Sequence, residues 1–366
     1  MDTSARWQLK YEKLWSRKLQ DPINCLAVGK PFLEELIEEN DILIGSTAGR
    51  ILILNQSKPP EVLMETKGGS IQAMHLYDLT GLRAQDLVVG DSNGVVTMFS
   101  RQRFLSKLDV GSPATHICIH EMEAQGYEII AGSMNGQVTS FHPRELFWTL
   151  DIGRESKTTA TLGMNRYRAV GIHCILSAIL NDRFNNPQRT LLVCDGWPFV
   201  HFIQDGKRIQ SIRVPTVIQS MATGRFLSTS SARRFRVSSE TSRPKYHADT
   251  DTVIDTNQVL LGGQDGSVYI MVDGEIHPWF KVGFGLSKIM TFRPTCLPDN
   301  EPDLVACVGL ANCIRIYSHG ELISEIKTSD WPQDITVGDV NADGQDELVI
   351  GLFNNIVEIY AWKLIQ

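Results

Sequence analysis

Three observations predict an all-β fold, a seven-bladed β-propeller closed by its own N-terminal strand. One hairpin pattern recurs seven times across the 366 residues. Most copies fall about one blade apart, roughly 40–45 residues. An unmatched strand also stands at each end of the chain, and each supplies what the other lacks.

The copies are DILIGSTAGRILIL from Asp41, DLVVGDSNGVVTMF from Asp86, EIIAGSMNGQVTSF from Glu128 and TLLVCDGWPFVHFI from Thr190. QVLLGGQDGSVYIM from Gln258, DLVACVGLANCIRIY from Asp303 and ELVIGLFNNIVEIY from Glu347 complete the set. Each pairs two short Val/Ile-rich runs across a turn, and Ala-Gly, Asn-Gly or Asp-Gly supplies positive φ there in four copies, at Gly49, Gly94, Gly136 and Gly266. A second set, Gly45, Gly90, Gly132, Gly262 and Gly351, closes the first strand of the hairpin, where a side chain would crowd the interior.

An apolar strand precedes each hairpin: INCLAVG, IQAMHLY, THICIHEM, GIHCILSAIL, VIQSMATGRF, SKIMTFRP and QDITVGD. Alternating outer strands follow, clearest in FLSKLDV, LFWTLDI, RIQSIRV, HPWFKVG and LISEIKT. Four strands per interval is the content of a propeller blade. The last hairpin is followed only by WKLIQ, so blade seven lacks its outer strand, whereas EKLWSRKLQ precedes blade one with no partner of its own. Pairing the two closes the ring and removes an exposed sheet edge. The whole chain, 1–366, is therefore expected to form one propeller, with insertions at about 153–168, 181–189 and 228–252.

Composition limits the function. The formal charge of −7 disfavours a nucleic-acid partner. The start MDTSARWQLKYEKLW has no apolar core of a signal peptide, and the longest apolar stretch, Val170–Leu180, is half a membrane span and reads as a buried strand. Seven cysteines without a CxxC pair read as buried, reduced thiols of a cytoplasmic protein. No GxSxG, GxxxxGK[ST], HExxH or dinucleotide fingerprint occurs. His116 and His120 share one face of a strand, about 13 Å apart by strand rise, too far to chelate one metal.

Two local motifs carry chemistry. Asp339, Asn341, Asp343, Gln345 and Glu347 alternate around Gly344, an oxygen-rich pattern suited to Ca²⁺ through four side chains and the Gln345 carbonyl. The same residues also fit a self-bonded Asx-turn with no metal. In blade two, the nearest copy runs Asp78 to Asp86 with Leu82 at the fifth position, which offers no oxygen. Ser239 follows Arg234 and Arg236 at the spacing of a basic-directed phosphorylation site, in a loop that reads equally as solvated basic chain.

The Asp339 loop followed by ELVIG resembles the FG-GAP repeat, and the chain is similar to intracellular FG-GAP propellers, among them propeller subunits of the KICSTOR complex and, more distantly, of the BBSome. The resemblance implies a non-catalytic scaffold that binds protein partners in a cytoplasmic complex, in nutrient signalling or trafficking. It also allows lysosome-surface, ciliary or other peripheral membrane association through those partners. A Ca²⁺-stabilised ligand-binding module is the alternative, and a propeller hydrolase or lyase a third.

Overall fold

A computed structural model describes residues 8–31, 39–56, 58–66, 69–101, 103–122, 126–152, 170–181, 187–227, 258–272 and 274–365. Ser239 and most of the three insertions lie outside these residues.

Short runs of β-branched and aliphatic residues punctuated by turn residues form strands throughout. The first, β1 (Gln8–Lys18), precedes blade one: β2 (Ile23–Gly29), β3 (Asp41–Ser46), β4 (Arg50–Leu54) and β5 (Glu61–Glu65). Blade two holds β6 (Ile71–Tyr77), β7 (Asp86–Asp91), β8 (Val95–Ser100) and β9 (Arg103–Asp109). Blade three holds β10 (Ala114–Met122), β11 (Gly126–Ser133), β12 (Gln137–His142) and β13 (Glu145–Asp151). Blade four holds β14 (Ile172–Asn181), β15 (Pro187–Asp195), β16 (Phe199–Gln204) and β17 (Lys207–Arg213). Blade five holds β18 (Ile218–Gly224), β19 (Gln258–Gly263), β20 (Ser267–Val272) and β21 (Glu275–Lys281). Blade six holds β22 (Leu286–Phe292), β23 (Leu304–Gly309), β24 (Cys313–Ser318) and β25 (Glu321–Lys327). Blade seven holds β26 (Pro332–Gly338), β27 (Glu347–Leu352) and β28 (Ile356–Ile365).

All seven sheets are four-stranded, and β1 supplies the fourth strand of blade seven in the order β1-β28-β27-β26. Pairing runs antiparallel from Gln8↔Ile365 to Lys18↔Ile356. The closure repeats the details of the other blades. Each outer strand ends with an N–H donated to the hairpin turn of its own blade, as Val110 to Gly94 O (2.8 Å) or Val282 to Gly266 O (2.8 Å), and Leu19 donates to Asn355 O (2.8 Å) in the same way. The first strand in the chain is thus the outer strand of the last blade, which the end-strand argument required.

The second strand of each blade is buried over most of its length, and fully in β7 and β27, where both faces pack on neighbouring blades. That burial explains why these runs read as continuous apolar stretches rather than as alternation. Crowding at the blade interface also explains Gly132: a Cβ there would lie 2.7 Å from the Ile172 side chain of blade four. At the turn, Gly49, Gly94, Gly136 and Gly266 all have φ near +80°, and Asn355 takes this place in blade seven at +66°.

Candidate functional site

Two places gather polar chemistry: the mouth of the central channel and the loop between β26 and β27.

The seven inner strands β2, β6, β10, β14, β18, β22 and β26 follow one another around the axis. Each is bulged at its second residue: Asn24, Gln72, Thr115, His173, Gln219, Ser287 and Gln333. A bulge leaves one residue without a ladder partner and re-aims its side chain. All seven are polar and all keep solvent-accessible surface. They fall at the same place in successive inner strands, a ring of polar residues at one end of the channel. Two of them tie adjacent blades: Asn24 Nδ2 donates to Ile71 O (2.5 Å) and Thr115 Oγ1 to Ile172 O (2.8 Å).

Directly below, charge is used to join blades. Asp334 of blade seven accepts from Leu26 N of blade one (2.7 Å), from Ile335 N (2.9 Å) and from Lys288 Nζ of blade six. Lys288 Nζ also reaches Ile335 O (2.9 Å). One carboxylate therefore touches three consecutive blades. Nearby, burial lowers the His116 pKa to about 4, helped by His173 and Lys288. His75 is lowered by burial as well. These imidazoles are neutral at pH 7, and His120 Nδ1 is spent on Ser177 Oγ (3.0 Å).

The inner strands are more polar than the sequence suggested. Seven bulged polar residues and the Lys288–Asp334 pair went unrecognised because a single-residue insertion does not disturb a short apolar run. The available signal was the polar residue after the first apolar one in every inner strand. One cysteine also departs from expectation: Cys296 is exposed, because it sits in the loop between β22 and β23 rather than in a strand.

The structure brings the five predicted ligand residues together in the β26–β27 loop. Asp339 accepts from Asp343 N (3.2 Å) and Gly344 N (2.9 Å), and Asn341 Oδ1 also accepts from Asp343 N (2.9 Å). Asp343 Oδ1 takes Gln345 N (2.8 Å), and Glu347 Oε2 takes Val340 N (3.0 Å). Asn341 Nδ2 donates to both Asp343 (3.2 Å) and Glu347 (3.1 Å). The oxygens are hard donors of the right class, yet each carboxylate is turned onto an N–H of the loop itself. Among the described residues no group of three His, Cys, Asp or Glu side chains is arranged to hold a metal ion. As it stands, this is a self-bonded turn.

The β6–β7 loop of blade two is its twin. It has the same length, and Asp78 accepts from Leu82 N (3.0 Å) and Arg83 N (2.8 Å), four and five residues on, as Asp339 does. Positive φ falls at matching places, Gly81 and Arg83 against Ala342 and Gly344. The turn thus forms with Thr80 and Leu82 where blade seven has Asn341 and Asp343, so its shape does not require those two oxygen side chains.

Carboxylate crowding has a measurable consequence. Burial, followed by the charges of Asp343, Asp339 and Asp346, raises the Glu347 pKa from 4.5 to about 7. The folded chain then holds a proton that the unfolded chain has released, so stability falls as pH rises from about 4.5 to about 7. Glu347→Gln keeps an acceptor for Val340 N and removes the charge. Its stability relative to the parent is expected to improve between pH 4.5 and pH 8, by about 1–2 kcal/mol after solvent screening around the exposed Asp343 and Asp346. Thermal unfolding of both proteins across that range checks it; a constant difference would contradict the assignment.

Fold and site together define a seven-bladed β-propeller whose channel chemistry is spent on joining blades. No known family profile matches the chain. No curated protein matches it either. Among solved structures it is similar to BBS1N in complex with ARL6DN, at 11% identity and a TM-score of 0.64, covering 98% of this chain and 97% of that one. A second crystal of the same complex gives 0.65 at 11% identity, over 97% and 96% of the two chains. The WD40 β-propeller domain of Doa1 gives 0.60 at 11% identity, over 96% and 97%. At such identity the likeness is one of fold.

Proposed function

We propose that the chain is a non-catalytic propeller scaffold that binds protein partners within a cytoplasmic multiprotein complex, in nutrient signalling or trafficking as the FG-GAP resemblance implies. The observation that carries this reading is the use of the channel's charged groups. Lys288 and Asp334 hold blades six, seven and one together, so that charge is spent on structure. A likeness to BBS1N, a propeller seen in complex with ARL6DN, is in keeping with it. Tagging the protein at its native locus and quantifying what co-purifies tests the reading. At least one partner in near-equal amount is expected, and recovery of the protein alone would sink it.

A second reading, a Ca²⁺-stabilised module, is favoured by one observation: Asn341 and Asp343 are not needed for the turn's shape, as blade two demonstrates. A cation held by Asp339, Asn341, Asp343, the Gln345 carbonyl and Glu347 would keep Glu347 ionised. Millimolar Ca²⁺ should then flatten the loss of stability between pH 4.5 and 8. An unchanged slope, with no heat on titration, removes the metal.

A further inference from the structure

All hairpin turns emerge on one face of the ring. Each of six turns donates an N–H to the connection that enters its blade, as Met134 to Pro113 O (2.9 Å), Leu310 to Gly285 O (2.9 Å) and Phe353 to Trp331 O (2.9 Å). Turn apices are normally polar, and blades one, two and five comply with Thr47, Ser92 and Gln264. Blades three, four, six and seven do not: Met134 is 57% exposed, Trp197 47%, Leu310 65% and Phe353 65%.

The apices of blades six and seven are joined by one connection. The connection from β25 to β26 starts against the blade-six turn, with Thr328 N on Asn312 O (3.1 Å), and ends against the blade-seven turn at Trp331. Asn354 Nδ2 on Ser329 Oγ (3.2 Å) fastens its middle. Trp331 is itself 46% exposed. Leu310, Trp331 and Phe353 thus lie along one connection on the turn face, an apolar crescent spanning two adjacent blades. Exposed apolar residues on the outer strands, such as Phe104 and Leu146, differ because they recur singly, one blade apart.

The crescent is flanked by cations in a chain whose formal charge is −7. Lys281 and Lys327 are both exposed where the outer strands of blades five and six reach this face. The connecting segment contributes one acid, Asp330, whose carboxylate is engaged by Trp331 N (2.8 Å).

We propose that the Leu310–Trp331–Phe353 crescent docks an acidic protein segment that carries aliphatic or aromatic anchors, the anchors seated on the three apolar side chains and the acids beside Lys281 and Lys327. The inference rests on the scaffold reading and names its surface and the chemistry of its partner. Aromatic and large aliphatic anchors dominate such contacts, while peripheral charges set specificity and approach rate.

Panning a random twelve-residue peptide display library against the purified chain tests it, with the best peptides resynthesised for fluorescence anisotropy. Enriched peptides should combine Asp or Glu with Leu, Phe or Trp. Their affinity should fall about tenfold on Phe353→Ser or Leu310→Ser, and about threefold on Lys281→Glu with Lys327→Glu. Phe104→Ser, on an outer strand, should change nothing. All these positions are exposed, so unchanged melting curves separate lost binding from lost folding. Peptides without acids, or binding indifferent to Phe353→Ser and Leu310→Ser, would overturn the proposal even if a stoichiometric partner had been purified. A doubling of mass in light scattering that depends on Phe353 would overturn it in favour of a second copy, and uptake on anionic phosphatidylserine vesicles that depends on Phe353 would overturn it in favour of a lipid surface.

Discussion

Deleting residues 1–18 is expected to lower the melting temperature by roughly 10 °C or more and to make the protein aggregate. The strand β1 pairs with β28 along its length and brings Leu9 into the core cluster of Tyr360 and Trp362. Lys13 Nζ meets Glu358 Oε1 at 2.6 Å, and Glu358 is buried. Tyr11 reaches across to Glu325 O of blade six at 2.9 Å. Losing one core leucine costs about 2–5 kcal/mol, and stranding a buried carboxylate adds about 1–3. In a chain of this size each kcal/mol moves the midpoint by a few degrees. The vacated edge of β28 is then a template for any other strand. A synthetic peptide spanning residues 8–20 should restore much of the loss. Calorimetry and light scattering of the truncated protein, with and without the peptide, read both effects; a truncated chain as stable as the parent would refute the closure.

Asp334→Ala is expected to destabilise by about 3 kcal/mol although it removes only a small side chain. Its carboxylate is nearly inaccessible and holds Leu26 N, Ile335 N and Lys288 Nζ, which belong to three blades. The substitution leaves two buried N–H donors and a lysine without their acceptor. Lys288→Met should cost less, because Asp334 keeps both N–H partners and a methionine fills the space. Urea unfolding midpoints of the two variants provide the comparison, and equal losses would show that the two N–H bonds of Asp334 add nothing beyond its pairing with Lys288.

The ring was legible because its determinants are local: apolar runs of five or six residues, Asn-Gly and Asp-Gly turns, and an outer strand missing from one end and present at the other. Asp334 was not, since its significance lies in Leu26, 308 positions away. The bulged ring of Asn24, Gln72, Thr115, His173, Gln219, Ser287 and Gln333 escaped for a geometric reason: strand pattern shows which residues alternate, not where the register slips. In the β26–β27 loop, residue spacing indicated that Asp339, Asn341, Asp343 and Glu347 would converge, and they do. It did not indicate that the carboxylates would turn onto N–H groups of their own loop, which depends on positive φ at Ala342 and Gly344. The blade-two loop, with Leu82 in place of an acid, gave little sign in its residues of sharing that backbone. The crescent was not visible: Leu310, Trp331 and Phe353 sit in turns and connections, where residue pattern does not show which apolar side chains stay exposed.

The way β1 meets β28 also fixes how the molecule responds to load. Gln8 lies opposite Ile365, so the two ends of the described chain are held side by side by the last rungs of one ladder. Tension applied through both ends pulls those rungs apart one at a time instead of shearing ten together. Peeling would proceed from Gln8↔Ile365 towards Lys18↔Ile356. A fold that resists heat through its closure would therefore open at low force when drawn from its ends.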